Sequence, residues 1–147
     1  KIEIVLNALE NKNQKITQGI FYNGQIYDAY AFINDLFKLA EKDISIIDNY
    51  TDDTIFTLCS KYQNINIVIF TQTISKQLEL DFKKYQKQYK NVELKINKNF
   101  HDRFLIIDEK EIYHLGASLK DLGNKVFAFS KLNINSFEFL EKLRWRY

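Results

Sequence analysis

At 147 residues the chain suits one domain with a sizeable hydrophobic core, and 46% hydrophobic with 27% charged residues excludes a mainly disordered chain. A formal charge of +2 excludes binding driven by bulk charge, so any polyanion must be held by local clusters. The single cysteine, Cys59, excludes an internal disulfide and points to a reducing cytoplasm, and no run approaches the roughly 20 apolar residues that span a bilayer.

Ile2, Val5, Leu6 and Leu9 lie at helical spacing ahead of a polar stretch at 11–18. Residues 1–18 therefore read as a linker helix or the tail of an upstream domain, preceding a domain at 19–147. Gly19 to Asn23 is a short opening strand or loop. Ile26, Tyr30, Ile33, Phe37 and Ala40 form an apolar stripe, which predicts a helix of about four turns. Ile44 to Asp48 is a short β-branched run ending in a carboxylate, a buried strand. Thr51 then stands as an N-cap, with Asp52 and Asp53 in the first turn of a helix reaching Tyr62. Ile65 to Phe70 predicts a second strand, and Leu78, Phe82, Tyr85 and Tyr89 mark an amphipathic helix with a Lys/Gln-rich outer face. Val92–Ile96, Arg103–Ile107 and Glu111–Leu115 follow as strands, the last two joined by a tight Asp-Glu-Lys turn. Val126 to Ser130 is a sixth strand, and Phe137, Leu140, Leu143 and Tyr147 define a final helix.

Helices and strands alternate in the first half, which favours parallel pairing under helices, whereas the closely spaced strands of the second half favour antiparallel pairing. The expected class is α/β: a mixed, largely parallel sheet flanked by helices.

Chemistry concentrates in Phe100-His101-Asp102-Arg103-Phe104-Leu105-Ile106-Ile107-Asp108, followed by Gly116-Ala117-Ser118. A strand needs neither an imidazole nor a guanidinium for stability, and His101 and Arg103 share one face by the period of two. Paired cationic donors on an apolar strand call for an anion, and phosphate matches the planar fork of arginine. A neutral imidazole is also a competent nucleophile toward phosphorus. Asp48, at a strand end, lies where ligands gather in open α/β sheets, although a simple cap explains it equally well. Lys120 and Lys125 follow the glycine turn and add positive potential or are solvated, and His114 shares a face with Ile112 as a packed histidine would.

The order His101-x-Arg103, four apolar residues, Asp108 and then Gly-Ala-Ser resembles the phospholipase D superfamily motif, which carries lysine where Arg103 stands. The likeness extends over about residues 19–132. Phe21-Tyr22-Asn23-Gly24-Gln25, His101-Asp102-Arg103 and Gly116-Ala117-Ser118-Leu119-Lys120-Asp121-Leu122-Gly123 further resemble a bacterial branch whose members often sit behind a phage-antirepressor-type DNA-binding domain. The resemblance implies a phospholipase D-like fold and a phosphodiesterase or nuclease that needs no metal and no cofactor. His101 would act as nucleophile or acid, Asp108 as its support, Arg103 as the holder of phosphoryl oxygens, and Ser118 as a phosphate or turn contact; Lys120, just beyond the turn, reads as a phosphate contact from its place in the chain. Relatives with one motif pair two chains at one site, so the resemblance also implies a homodimer acting on nucleic acid or another phosphodiester. The alternative is a catalytically silent module that binds phosphate or nucleic acid and dimerises.

Overall fold

The computed structural model describes residues 18–144, so the expected linker helix and residues 145–147 lie outside it. Seven strands and four helices alternate as β1 (Gln18–Phe21), α1 (Ile26–Lys38), β2 (Asp43–Ile47), α2 (Thr54–Cys59), β3 (Asn66–Thr71), α3 (Lys76–Gln86), β4 (Val92–Ile96), β5 (Arg103–Ile107), β6 (Glu111–Leu115), β7 (Phe127–Leu132) and α4 (Ser136–Arg144). A 3₁₀ turn, Leu119–Asp121, sits between β6 and β7.

All seven strands join one sheet in the order β1-β7-β6-β5-β2-β3-β4. The expected mixed α/β architecture is present. Strands β1, β2, β3, β4 and β6 run one way and β5 and β7 the other, yet only β2/β3 and β3/β4 are parallel neighbours. "Largely parallel" thus describes strand direction, while most neighbouring pairs are antiparallel. The cause is that β5, β6 and β7 are inserted between β1 and β2.

The position of the helices follows from chirality. The connections β1–α1–β2, β2–α2–β3 and β3–α3–β4 join co-directional strands and step the same way across the sheet. Right-handed crossovers therefore place α1, α2 and α3 on one face. The packing agrees: Ala29, Phe32, Ile33, Leu36 and Phe37 of α1 share one core with Ile44, Ile46, Leu105, Ile107, Leu115 and Phe129 of the sheet. Each such fully buried large side chain contributes about 1.5–3 kcal/mol. On the opposite face Leu140 and Leu143 of α4 cover Ile47, Ile106 and Ile112.

Two boundaries differ from expectation. Thr51 does not cap α2; the Asp52 carboxylate accepts the Thr54 N–H at 3.0 Å and its hydroxyl at 2.5 Å, and the helix ends at Cys59 rather than Tyr62. A side chain one residue further on reaches the first free N–H groups, so the helix starts later. The β5–β6 connection is the expected three-residue Asp-Glu-Lys turn, with Asp108 at φ 53° and Glu109 at φ 59°, closed by Lys110 N–H donating to Ile107 O at 3.0 Å. Positive φ at both positions gives the turn the twist of its flanking strands. No helix among the described residues is long and apolar enough to cross a membrane.

Candidate functional site

The C-terminal ends of β2, β3 and β4 lie at one end of the sheet, the position at which α/β sheets bind ligands. Because β5 runs antiparallel to β2, its first residue, Arg103, is at this same end. Ile47 pairs with Phe104, so Asp48 falls level with Arg103 and on the same side of the sheet. The loop after β6, starting at Gly116, closes the third side.

Asp48 organises this end. It is 1% exposed, and one carboxylate oxygen accepts the Tyr50 N–H at 3.0 Å while the other accepts the Ser118 hydroxyl at 2.8 Å and the Leu119 N–H at 2.9 Å. It therefore fastens the loop after β2 to the loop after β6, and three donors make its burial tolerable. Gly116 is needed where it stands, because a Cβ there would come within 2.8 Å of the Ala128 carbonyl oxygen on β7. Gly123, at φ +78°, turns the same loop back against α1, and its carbonyl accepts the Gly24 N–H at 3.0 Å.

Between these loops lies a cleft of about 550 Å³, lined by Tyr50, Arg103, Gly116, Ala117, Ser118, Asp121, Asn124, Lys125 and Val126. One terminal guanidinium nitrogen of Arg103 donates to Gly116 O at 3.0 Å, while its Nε is buried with no acceptor. Four buried side-chain polar atoms lack a hydrogen-bond partner among the described residues, and three of them, Asn49 Oδ1, Thr51 Oγ1 and Arg103 Nε, belong to this end of the sheet. Such atoms are rare, and their gathering at one end of the sheet sets that end apart.

His101 lies just before β5 and is fully exposed; it is not part of the cleft lining. Its Nδ1 is 3.4 Å from Asp102 Oδ1, and Asp102 Oδ2 is 3.3 Å from Nε2 of His114 on β6. A carboxylate thus stands between two imidazoles. The hydrogen bond from His101, with the His114 ring beside it, holds the Asp102 carboxyl below its usual range. The segment is held from behind: Asn49 Nδ2 donates to Phe100 O at 2.8 Å, and the Phe100 ring packs on Phe104 and Phe139 at 5.9 and 5.4 Å. His114 packs edge-on against Phe104 at 5.5 Å on the α4 face, in line with its expected packed position.

Three sequence candidates are placed differently from expectation: His101, which stands outside the cleft that Arg103 lines, Asp108 and Lys120. Asp108 occupies the far end of β5 and does not support His101. Its carboxylate accepts backbone N–H groups of Glu41, Lys42 and Asp43 at 2.8–3.1 Å. Burial pushes its pKa up, but those three donors outweigh burial and the net displacement is downward. Ser118 borders the cleft with its hydroxyl committed to Asp48, which is the turn-contact alternative of its two expected roles. Lys120 is outside the lining, with its ammonium 3.7 Å from Asp121, and Lys125 lines the cleft in its stead. Asp102 and Tyr50 were missed. The signal for Asp102 was its position between the two cationic residues; Tyr50 had only its loop position after a buried strand. Among the described residues no group of three or more His, Cys, Asp or Glu is arranged to hold a metal ion.

No protein-family model matches the chain, and no curated protein matches it. Solved structures do. An archaeal chromatin protein, TrmBL2, whose structure shows a novel mode of DNA binding, is similar over 96% of this chain at 16% identity and a TM-score of 0.56. A polyphosphate kinase from Porphyromonas gingivalis, a member of the phospholipase D superfamily, is similar over 86% of this chain at 9% identity and a TM-score of 0.51. The matches cover 55% and 21% of those two chains, so this chain spans about half of the first and a fifth of the second. At these identities the likeness is one of fold.

Proposed function

We propose that this domain recognises a phosphodiester, with nucleic acid as its preferred form, in the cleft beside Arg103. The observation that carries the reading is the guanidinium itself, pinned to Gly116 by one nitrogen while its buried Nε meets no acceptor. Arg103 lines the cleft, and an oxyanion entering there gains a charge-assisted bond to its guanidinium. Lys125 supplies a second positive charge in the lining. Nucleic acid is favoured over lipid by the resemblance to chains that follow a DNA-binding domain, and a DNA-binding protein among the structural neighbours is consistent with it. The test is fluorescence anisotropy with a labelled oligonucleotide across a salt series. Arg103→Ala lowers affinity at least tenfold, Arg103→Lys recovers only part of it, and Lys125→Ala reduces the salt slope by about one. Undiminished binding by Arg103→Ala removes the reading.

A second reading, metal-independent phosphodiester hydrolysis, is favoured by the contact of Asp102 with His101 Nδ1, which directs the other ring nitrogen, Nε2, toward solvent as a nucleophile. Nε2 would form a bond to phosphorus as the P–O bond breaks, and a second imidazole would give its proton to the leaving oxygen. Water would then attack phosphorus and release the histidine. The second imidazole is His101 of another copy in a homodimer or His114, which touches the other oxygen of Asp102. Metal-free cleavage of a bis-aryl phosphodiester, lost in His101→Ala, supports this reading; sedimentation combined with His114→Gln separates the two proton sources.

A further inference from the structure

Tyr50 combines a fastened backbone with an unused ring. Its N–H donates to Asp48 at 3.0 Å and its carbonyl oxygen faces the Ser118 hydroxyl at 3.5 Å, so the residue is tied at both ends to the most buried carboxylate of the site and its partner. Yet Tyr50 is 57% exposed, and its ring and hydroxyl make no hydrogen bond, ion pair or ring contact among the described residues. With the backbone engaged, that exposed area must come mostly from the ring. Tyr50 lines the same cleft as Arg103 and Lys125, and Val126, 58% exposed, adds an apolar surface to it.

Inorganic phosphate needs the cations but has no use for a tyrosine ring and a valine beside them. A nucleotide uses both: the phosphate meets the cations and the base stacks on the ring. The cleft volume of about 550 Å³ suits a nucleotide or two and not a double helix. In a duplex each base face is already covered by its neighbour, so only an unpaired base can reach Tyr50. We infer that the cleft is a single-strand nucleotide site in which Arg103 and Lys125 hold the phosphate and Tyr50 stacks on the base. The inference rests on the phosphodiester reading and narrows it to single-stranded nucleic acid. Because the Tyr50 backbone is fastened before binding, only the rotamers of its ring remain to be ordered by the contact.

The test uses the full chain and three labelled probes: a short single strand, the same strand with abasic sites, and a hairpin duplex of equal charge. The intact strand is expected to bind at least fivefold more tightly than either of the others. Tyr50→Ala weakens its binding by about 5- to 100-fold, leaves the abasic strand unchanged and leaves the melting temperature near that of the parent. Tyr50→Phe keeps the affinity, and Tyr27→Ala, a 76% exposed tyrosine outside the cleft lining, serves as an unchanged control. Equal affinity for intact and abasic strands, or no effect of Tyr50→Ala, overturns the stacking inference. If binding then still falls with Arg103→Ala, the phosphodiester reading stands without it. If no probe binds, both fall together.

Discussion

Replacing Asp108 separates a structural role from a catalytic one, because its surroundings predict a stability defect without a binding defect. The carboxylate holds the N–H groups of Glu41, Lys42 and Asp43, and Asp108 also adopts φ 53° in the hairpin. Charge-assisted hydrogen bonds contribute about 1.5–3 kcal/mol each when sheltered. Here the bonds to Glu41 and Lys42 are exposed and water replaces most of their value, which leaves the part-buried bond to Asp43 as the main loss. Alanine adds about 1 kcal/mol for the left-handed conformation, so Asp108→Ala should cost about 2–3 kcal/mol. For a chain of this size that lowers Tm by about 5–10 °C. Asp108→Asn keeps an acceptor oxygen and tolerates the turn, and it relieves the neighbouring Asp43, whose carboxyl is pushed up by burial and by the charges of Glu109 and Asp108. Its cost is therefore nearer 1 kcal/mol. The acid dependence has a definite sign. A depressed carboxyl stabilises the fold above its unfolded pKa of about 3.9 and loses that contribution as pH falls through the lower folded value. The gap between parent and Asp108→Asn should therefore be full at pH 6 and shrink as the solution is acidified below pH 4. Thermal melts across pH, paired with oligonucleotide anisotropy, provide the assay. An Asp108→Asn variant with unchanged Tm but lost binding or cleavage would refute the structural assignment.

Ser118→Ala removes the hydroxyl at 2.8 Å from the buried Asp48 and should cost about 1–3 kcal/mol in chemical denaturation, with a smaller effect on oligonucleotide affinity than Arg103→Ala. Cys59 is fully buried and its thiol is pushed up to about 12 by burial, so a thiol reagent should leave the native protein untouched and label it in step with denaturant unfolding. Labelling of the native protein at the rate of a free thiol would contradict that placement. The Asp102 carboxyl should titrate below the usual range in carbon-detected NMR, and exchanging both His101 and His114 for glutamine should return it toward that range. An unchanged titration in the double variant would show that neither imidazole governs it.

Much of the fold is present in local pattern. Short β-branched runs such as Ile44–Ile47 read as buried strands, and the stripe Ile26, Tyr30, Ile33, Phe37 and Ala40 located the helix, although its buried face is Ala29, Phe32, Ile33, Leu36 and Phe37 and Ile26 is exposed. The tight β5–β6 turn was likewise local, since three residues between two strands must close a hairpin. Arg103 and the Gly116 turn stood out in the sequence because a guanidinium on an apolar strand calls for a partner, and the structure brings the two together at one cleft.

The roles within the site were not local. Asp108 belongs to the same motif as His101 in the chain, but a strand advances about 3.3 Å per residue, so five further residues carry it to the other end of the sheet. That arithmetic was available from the spacing alone. Ser118 was held to the turn by a carboxylate 70 positions away, and Asp102 gained a role from His114 across the β5–β6 hairpin. Tyr50 owes its importance to a cleft whose walls come from three separate segments. Sequence by itself determined which segments are strands and helices and that a guanidinium opens the apolar strand β5. Which carboxylate meets which imidazole, and which lysine and ring face the cleft, was decided only when antiparallel β5 and β6 brought distant residues to a common edge, because hydrogen bonds and charge pairs act over a few ångströms of space and not along the chain.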